Sequence, residues 1–269
     1  MQKGRSQLII IILLLFSASQ LAYCSSKGEN ITEPPINNSG VDTTFCEDGT
    51  SLFFDEFIIE NNTWGRGTLT NYSQCSFLKE DERNVIIGWE WQWPIQSGDN
   101  VKAYPEIVYG WKPFRSESST QALPIEVTSN NKIISKYDVV NSTFNGIGNL
   151  AYDIWITNSP TPNASNITRE IMIWVKNYGQ AAGGSKVNEV DIDGIKYDFY
   201  KADWDWTYLA FVNSSGHDIT EVNIHNFIKY LLTENYITEE EFVSSIEFGN
   251  EIIEGTGKTE IVNYQVIIE

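Results

Sequence analysis

The chain has 269 residues, 41% of them hydrophobic and 13% aromatic, so it can bury a core and does not belong with disordered chains. Its formal net charge of −18 argues against nucleic acid or anionic membranes as partners, because both would be repelled, and it suits a neutral substrate. Nine Trp and 13 Tyr exceed the needs of such a core. This surplus either lines a site for flat amphipathic ligands such as sugars or fills a core rich in β-sheet.

Residues 1–24 predict a secretion signal. Lys3 and Arg5 precede an unbroken apolar run over residues 8–16, and small and polar residues follow. The run is too short to span a bilayer comfortably. We therefore expect a secreted protein with no membrane attachment after cleavage. The alternative is a lipid anchor through Cys24, which Tyr23 disfavours because a very small residue normally precedes a lipidated cysteine.

The rest of the chain predicts a linker followed by one domain. Residues 25–44 are rich in Ser, Asn, Thr and Pro and lack apolar periodicity, which is typical of a flexible linker or tail. Residues 45–269 show no second break in composition. Two cysteines remain after signal removal, Cys46 and Cys75, and an even pair in an oxidising compartment indicates one disulfide.

Short β-rich segments separated by Asn, Gly, Ser and Pro indicate an all-β sandwich or barrel. The predicted strands are residues 52–59, 84–93, 103–109, 132–140, 151–156, 170–175, 196–200, 208–212, 244–248 and 260–268. Residues 218–235 differ, because apolar residues recur at helical spacing from Ile224 to Leu231. They predict a single amphipathic helix that Asp218 or Thr220 can cap.

The run REIMIW at 169–174 places a carboxylate in an apolar strand, where an ionised group is costly to bury. Side chains alternate along a strand, so one face is aliphatic and the other carries Glu170, Met172 and Trp174. An acid, a thioether and an indole on one face are typical of the floor of a sugar-binding groove. The alternative is an exposed strand-end glutamate with two semi-buried neighbours.

Carboxylates are the main catalytic groups that the sequence offers. His217 and His225 lie in a predicted turn and the predicted helix, and the motifs of serine hydrolases, zinc hydrolases and phosphate loops are missing. No metal or cofactor is expected. Paired carboxylates that flank a glycosidic bond are how most glycosidases work. Candidate partners for the first acid are Glu247, Glu251 and Glu254 in SSIEFGNEIIEGTGK.

Several motifs occur in a specific order and spacing. They are NNTWG at 61–65, YPEIVYGWKP at 104–113, AYDIW at 151–155, REIMIW at 169–174 followed by GGSKV, YKADWDWTYLAF at 200–211 and FGNE at 248–251. In this order the chain resembles glycoside hydrolase family 12, the secreted endo-β-1,4-glucanases and xyloglucan-specific endoglucanases. The resemblance covers nearly all of residues 45–269.

The resemblance implies a retaining glycosidase. The nucleophile is then Glu170, the general acid/base is Glu251, and Asp153 orients the nucleophile through a hydrogen bond. Asn250 replaces the usual Thr before the acid/base, and Ile252 replaces the common Pro or Phe after it. Both departures fall on the leaving-group side of the cleft.

The resemblance also implies a β-jelly roll sandwich of two curved antiparallel sheets, with an open cleft on the concave sheet and one α-helix on the convex side. Asn62 and Trp64 would contact sugar on the non-reducing side, and the cysteine spacing matches a disulfide found in part of the family. Further candidates for the cleft are Tyr109, Trp111, Met172 and Trp174. Trp89, Trp91 and Trp93 share one face that fits cleft or core equally well.

The sequence thus predicts a secreted, monomeric endo-β-1,4-glucan hydrolase whose partner is a β-glucan polysaccharide. Cellulose-type chains, mixed-linkage β-glucan and xyloglucan remain open as substrates. Two other classes remain as alternatives. A glycan-binding module would need the aromatic residues but no paired carboxylates, and an effector protein would be recognised by host receptors irrespective of hydrolysis.

Overall fold

The structure is a computed structural model, and it describes residues 42–80, 84–95 and 100–269. The predicted signal peptide, Cys24 and residues 25–41 of the predicted linker lie outside the described residues. No helix in the described ranges is both long and apolar enough to cross a bilayer.

Strands make up most of the described residues. One α-helix, α1, spans Ile224–Thr233, and one 3₁₀ turn spans Ala164–Asn166. The strands are β1 (Asp42–Phe45), β2 (Ser51–Phe54), β3 (Phe57–Glu60), β4 (Ser73–Glu80), β5 (Val85–Trp93), β6 (Glu106–Gly110), β7 (Ile125–Glu126), β8 (Ile133–Thr157), β9 (Ile167–Tyr178), β10 (Ser185–Ile192), β11 (Ile195–Asp203), β12 (Thr207–Asn213), β13 (Glu221–Asn223), β14 (Phe242–Gly249) and β15 (Ile252–Ile268).

The strands form two layers that share the long strand β8. The first half of β8 pairs with β15, and the layer continues through β5 and β4 to β1. The second half lies between β9 and β14, and this layer continues through β12, β11 and β10 on one side and β6, β3 and β2 on the other. All pairings are antiparallel except that of β9 with β12, which is parallel. The predicted sandwich is confirmed, with this one exception to antiparallel pairing.

The change of partners along β8 occurs at a glycine. Gly148 is the last residue of β8 that pairs with β15, and Asn149 is the first that pairs with β9. A Cβ atom on Gly148 would lie 2.2 Å from the carbonyl oxygen of Glu251, so only glycine allows this approach. The two layers therefore separate close to the segment that carries Glu251.

Aromatic rings join the two layers in the core. Tyr264 of β15 packs against Phe57 of β3 and Phe248 of β14, with ring centroids 5.3 and 5.8 Å apart. Trp89, Trp91 and Trp93 are also in the core, each at most 4% exposed. The core therefore accounts for these three residues, which the sequence alone could not assign.

Helix α1 packs on the side of β11 and β12 that faces the core. The ring of Phe227 lies 5.2 Å from Tyr197 and 5.0 Å from Phe211. The predicted helix is confirmed, but the predicted cap is wrong. The helix begins after Asn223, which forms no side-chain capping bond, because residues 221–223 pair with β8 as strand β13.

The structure corrects several predicted boundaries. Residues 132–140 and 151–156 belong to one 25-residue strand, because the Asn, Ser and Gly residues between them remain paired with β15. Residues 42–44, predicted as linker, pair with β4 as part of β1. Residues 52–59 are two strands joined at Asp55, whose φ of 50° makes the turn. Strands β1, β4, β7, β10 and β13 were not predicted.

The predicted disulfide between Cys46 and Cys75 is present and joins the end of β1 to β4. The fully buried side chain of Asn61 lies close by and donates to the carbonyl oxygens of Glu47 (3.2 Å) and Gln74 (3.3 Å). The disulfide and this amide together fix the loop that follows β3.

We expect the double variant Cys46→Ser/Cys75→Ser to lose about 3–4 kcal/mol of unfolding free energy, because the bond closes a long loop in the unfolded chain. The separation is 29 residues. Denaturant unfolding with and without a reductant measures the loss. The reductant should destabilise the wild type and leave the variant unchanged, and equal stability of the two proteins would contradict the prediction.

Candidate active site

Acidic side chains from three neighbouring strands share one face of the layer that contains β9. Trp155 of β8 pairs with Glu170 of β9, and Glu247 of β14 pairs with Asp153 of β8. Paired residues point to the same face, and residues two apart on a strand do so as well. Glu170, Asp153 and Glu247 therefore lie on one face, on adjacent strands.

Glu251 follows β14 and is held by Asn149 and Gln180. Its backbone N–H donates to Asn149 Oδ1 (3.2 Å), and the Asn149 N–H donates back to its carbonyl oxygen (3.0 Å). The side-chain amides of Asn149 and Gln180 both donate to Glu251 Oε2, the second at 2.7 Å. Both donors use the same oxygen, so Oε1 is left to carry a proton.

Asn250, one of the departures noted in the sequence, supports this arrangement from the core. Its Nδ2 donates to the carbonyl oxygen of Asn149 at 2.7 Å. Its Oδ1 accepts from Trp89 Nε1 (2.8 Å) and Thr259 Oγ1 (2.7 Å). Asn250 is fully buried and all these groups are paired, so it fixes the backbone beside Glu251.

Glu170 accepts a 2.6 Å hydrogen bond at Oε2 from the indole N–H of Trp206. Burial, with a smaller contribution from the charge of Glu251, raises the pKa of Glu170 to about 8 against the lowering effect of this N–H. Burial likewise raises the pKa of Glu251, against the donors Gln180 and Asn149. The charge of Glu251 therefore acts on Glu170, and the two carboxyl groups lie within electrostatic range of each other.

Asp153 is buried beside this pair. Burial raises the pKa of Asp153 well above its usual value, and the charges of Glu170, Glu247 and Glu106 add to the effect. Its Oδ1 is buried without a hydrogen-bond partner. The hydrogen bond expected between Asp153 and Glu170 is therefore not formed at this oxygen. Burial favours the protonated form of Asp153.

Exposed aromatic rings flank the acidic groups. Trp206 packs edge-on against Trp155 at 5.1 Å, and Trp155 against Phe114 at 5.3 Å. Phe114 is 54% exposed, and Trp204, which covers the ring of Tyr208 at 4.7 Å, is 55% exposed. These rings offer flat apolar surface next to the carboxyl groups.

The predicted sugar contacts Asn62 and Trp64 form an anchored turn. The backbone N–H of Trp64 donates to Asn62 Oδ1 (3.1 Å), and Asn62 Nδ2 donates to Glu106 Oε1 on β6 (2.8 Å). The ring of Trp64 is 69% exposed. The turn thus presents a free indole at the β6 side of the acidic face.

Most of the other predicted lining residues are buried. Tyr109 packs in the core against Phe57 at 5.6 Å, so the prediction that it binds substrate is wrong. Met172 and Trp174 share the face of Glu170 as expected, but they are 2% and 1% exposed and pack with Tyr208. They support the site and present almost no surface to a ligand. Trp111 is partly exposed, and its indole N–H donates to the Arg115 carbonyl oxygen (3.1 Å).

The residues that the sequence analysis missed are the donors to the two glutamates. Trp206, Asn149 and Gln180 come from a hairpin, the point where β8 changes partners and the loop after β9. Only the aromatic run WDW at 204–206 gave a signal, since a Trp surplus in an acidic chain suggests a sugar site. No cluster of three or more His, Cys, Asp or Glu side chains in the described ranges could hold a metal ion.

Comparison with known proteins places this geometry in a family. Residues 55–269 match the family model described as Glycosyl hydrolase family 12. The chain belongs to glycosyl hydrolase family 12. It is a glycoside hydrolase, and the acidic face described above is the candidate active site of this family 12 enzyme.

Individual family 12 relatives cover most of the chain. Endoglucanase S of Pectobacterium parmentieri is 31% identical over 234 residues, which cover 82% of this chain and 86% of that protein. A probable xyloglucan-specific endo-beta-1,4-glucanase A of Aspergillus terreus is 28% identical over 221 residues, 80% of this chain and 83% of that protein. A solved family 12 xyloglucanase from Bacillus licheniformis has a TM-score of 0.77 at 29% identity and covers 84% of this chain and 100% of its own.

The family 12 enzyme should respond to loss of the indole N–H at Glu170. We expect Trp206→Phe to raise the pKa of Glu170 and move the acid limb of the kcat/KM profile upward by about one pH unit, because the donor to the ionised carboxylate is removed. The profile is measured on a soluble β-glucan, with thermal unfolding as the check of folding. If the folded variant keeps its acid limb at the wild-type pH, the prediction that Glu170 has to be ionised for hydrolysis is contradicted.

Proposed function

We propose that the enzyme cleaves internal β-1,4 bonds of a glucan with retention of configuration, with Glu170 as nucleophile and Glu251 as general acid/base. The supporting observation is that these two partly buried carboxyl groups, on separate elements, interact electrostatically but have different donors. Glu170 accepts one indole N–H, and Glu251 accepts two amide N–H groups at one oxygen.

In the first step, the ionised carboxylate of Glu170 attacks the anomeric carbon. The bond from that carbon to the glycosidic oxygen breaks, and Glu251 Oε1 transfers its proton to the departing oxygen. The product is a glycosyl ester on Glu170. The reactive form has Glu170 ionised and Glu251 protonated, and the Trp206 N–H stabilises the negative charge on Glu170.

In the second step, the Glu251 carboxylate takes a proton from water, and the water oxygen attacks the anomeric carbon. The ester bond breaks, Glu170 leaves as a carboxylate, and Glu251 is protonated again. Asn149 and Gln180 bind Oε2 in both steps, so the proton-carrying oxygen keeps its position. Two inversions at one carbon give net retention.

Asp153 contributes as a neutral neighbour. Burial raises the pKa of Asp153, so its protonated form is favoured and adds no second negative charge next to the developing oxocarbenium ion. Its free oxygen lies on the same face as Glu170, and a small rotation of either side chain could form the hydrogen bond that orients the nucleophile.

We assign the exposed ring of Trp64 to a sugar on the non-reducing side, because it is a flat apolar surface held by Asn62. The names of the relatives, endoglucanase and xyloglucan-specific endo-beta-1,4-glucanase, support a β-1,4-linked glucan as the substrate class. The signal-like residues 1–24 and the Cys46–Cys75 disulfide support secretion.

We expect Glu170→Gln and Glu251→Gln each to lower kcat by about 10³-fold or more, because each removes a group that forms or breaks a bond. Glu254→Gln is the matched control on the same segment as Glu251 and should keep wild-type activity. Hydrolysis of carboxymethylcellulose, barley β-glucan and tamarind xyloglucan measures all four proteins.

The stereochemistry gives an independent test of the same proposal. Proton NMR of a digest in progress should show the β-anomer of the new reducing end before mutarotation. A wild type that is inert on all three polysaccharides would refute the proposed activity. A first product with the α-anomer would refute the nucleophilic role of Glu170.

A further inference from the structure

A second group of buried charges lies beside Asp153, outside the proposed catalytic pair. It consists of Lys112 and the three glutamates around it, Glu60, Glu106 and Glu247, and we call it the Lys112 cluster. Lys112 Nζ lies 2.6 Å from Glu106 Oε1, 3.2 Å from Glu247 Oε2 and 3.6 Å from Glu60 Oε2. Lysine is rarely fully buried, but Lys112 is only 6% exposed.

The cluster contacts the site at two points. Glu106 Oε1, which accepts from Lys112, also accepts from Asn62 Nδ2 at 2.8 Å. Glu247 is the cross-strand partner of Asp153, and its Oε1 accepts from Ser245 Oγ at 3.0 Å. One ammonium group thus connects the anchor of the sugar-binding turn to the neighbour of the nucleophile.

The carboxyl groups in this region outnumber the cations that face them. The cluster and Asp153 supply four carboxyls, and the cations that face them are Lys112 and Arg115, which lies 3.6 Å from Glu60. Burial raises the pKa of Glu106 well above its usual value, as it does for Asp153. Although burial would lower it, the charges of Glu106 and Glu247 hold the pKa of Lys112 well above its usual value.

From this geometry we propose that the Lys112 cluster is a positioning centre for hydrolysis. Glu106 holds the Asn62 turn in place, and the match between Lys112 and its carboxylates keeps Asp153 uncharged beside Glu170. The inference rests on the proposed function, because it concerns the proton balance of the same nucleophile. Lys112 itself contacts no reacting atom.

The test must account for every ionisable group around Asp153. They are Glu170 on β9, Glu247 on β14, Glu106 on β6, Lys112 after β6, and the phenols of Tyr104 and Tyr208. Among the carboxyls facing Lys112 and Arg115, removing Glu106 and Glu247 leaves Glu60 and Asp153. The two cations then face only these two carboxyl groups, which favours the ionised form of Asp153.

We expect Glu106→Gln/Glu247→Gln to ionise Asp153, because Lys112 loses its two closest carboxylates. The new charge beside Glu170 should move the acid limb of kcat/KM upward by on the order of one pH unit. Adding Lys112→Met removes the unmatched cation and should return the limb to the wild-type pH. Lys136→Met, which breaks only a surface ion pair with Glu221 (2.8 Å), is the control and should leave the profile unchanged.

The triple variant separates charge from structure. If the cluster were purely structural, the acid limb of the triple variant would lie no closer to the wild-type pH than that of the double variant. That result, or an acid limb of the double variant at the wild-type pH, would overturn the proposal. If thermal unfolding shows that the double variant is not folded, a comparison of Glu247→Gln with Lys112→Met/Glu247→Gln makes the same test. An inert wild type would refute the proposed function instead, so the two failures are distinguishable.

A second comparison tests the link to Asn62. Glu106→Gln keeps an acceptor for Asn62 Nδ2, whereas Glu106→Leu fills similar space without one. We expect Glu106→Leu to raise KM about tenfold with a smaller change in kcat, and Glu106→Gln to stay within about twofold of the wild type. Equal KM values in both variants would overturn the positioning role of Glu106.

Discussion

The site depends on how several carboxyl groups are stabilised on one face of a sheet where they have little contact with water. An ionised carboxylate in such a place is costly unless it has donors, a cation or a proton. Here each solution is used once or more. Trp206 donates to Glu170, Asn149 and Gln180 donate to Glu251, and Lys112 contacts Glu106 and Glu247. Burial favours the protonated form of Asp153. The different solutions give neighbouring acids different roles without any difference in residue type.

The scaffold achieves this through β8, which belongs to both layers. The glycine at position 148, where β8 changes partners, lets the backbone of Glu251 approach, and Asn149, the next residue, then holds both the backbone and the side chain of that glutamate. Asn250 connects this contact to Trp89 in the core. Rigid support of this kind suits the proposed two-step reaction, in which Glu251 would give and take a proton from one position.

The sequence predicted the parts that follow from local pattern, and it failed where partners are distant. Alternation in REIMIW correctly placed Glu170, Met172 and Trp174 on one face, and helical spacing correctly located α1. Alternation could not show that Tyr109 faces the core, because its strand is buried on both sides. The donors Asn149 and Gln180 are 102 and 71 residues from Glu251, so no spacing rule could link them. The long strand β8 was divided because turn-forming residues lie in a segment whose structure is fixed by pairing with β15.

The buried amide of Asn61 also bears on how the protein can be produced. Asn61, Asn62 and Thr63 form an acceptor sequence for N-linked glycosylation. The side-chain nitrogen that would carry the oligosaccharide is instead used for two hydrogen bonds to the backbone, at a residue with no exposed surface. Sugar attached there during synthesis would prevent the loop from closing. A eukaryotic expression host would therefore yield native enzyme only from molecules that escape modification at this asparagine.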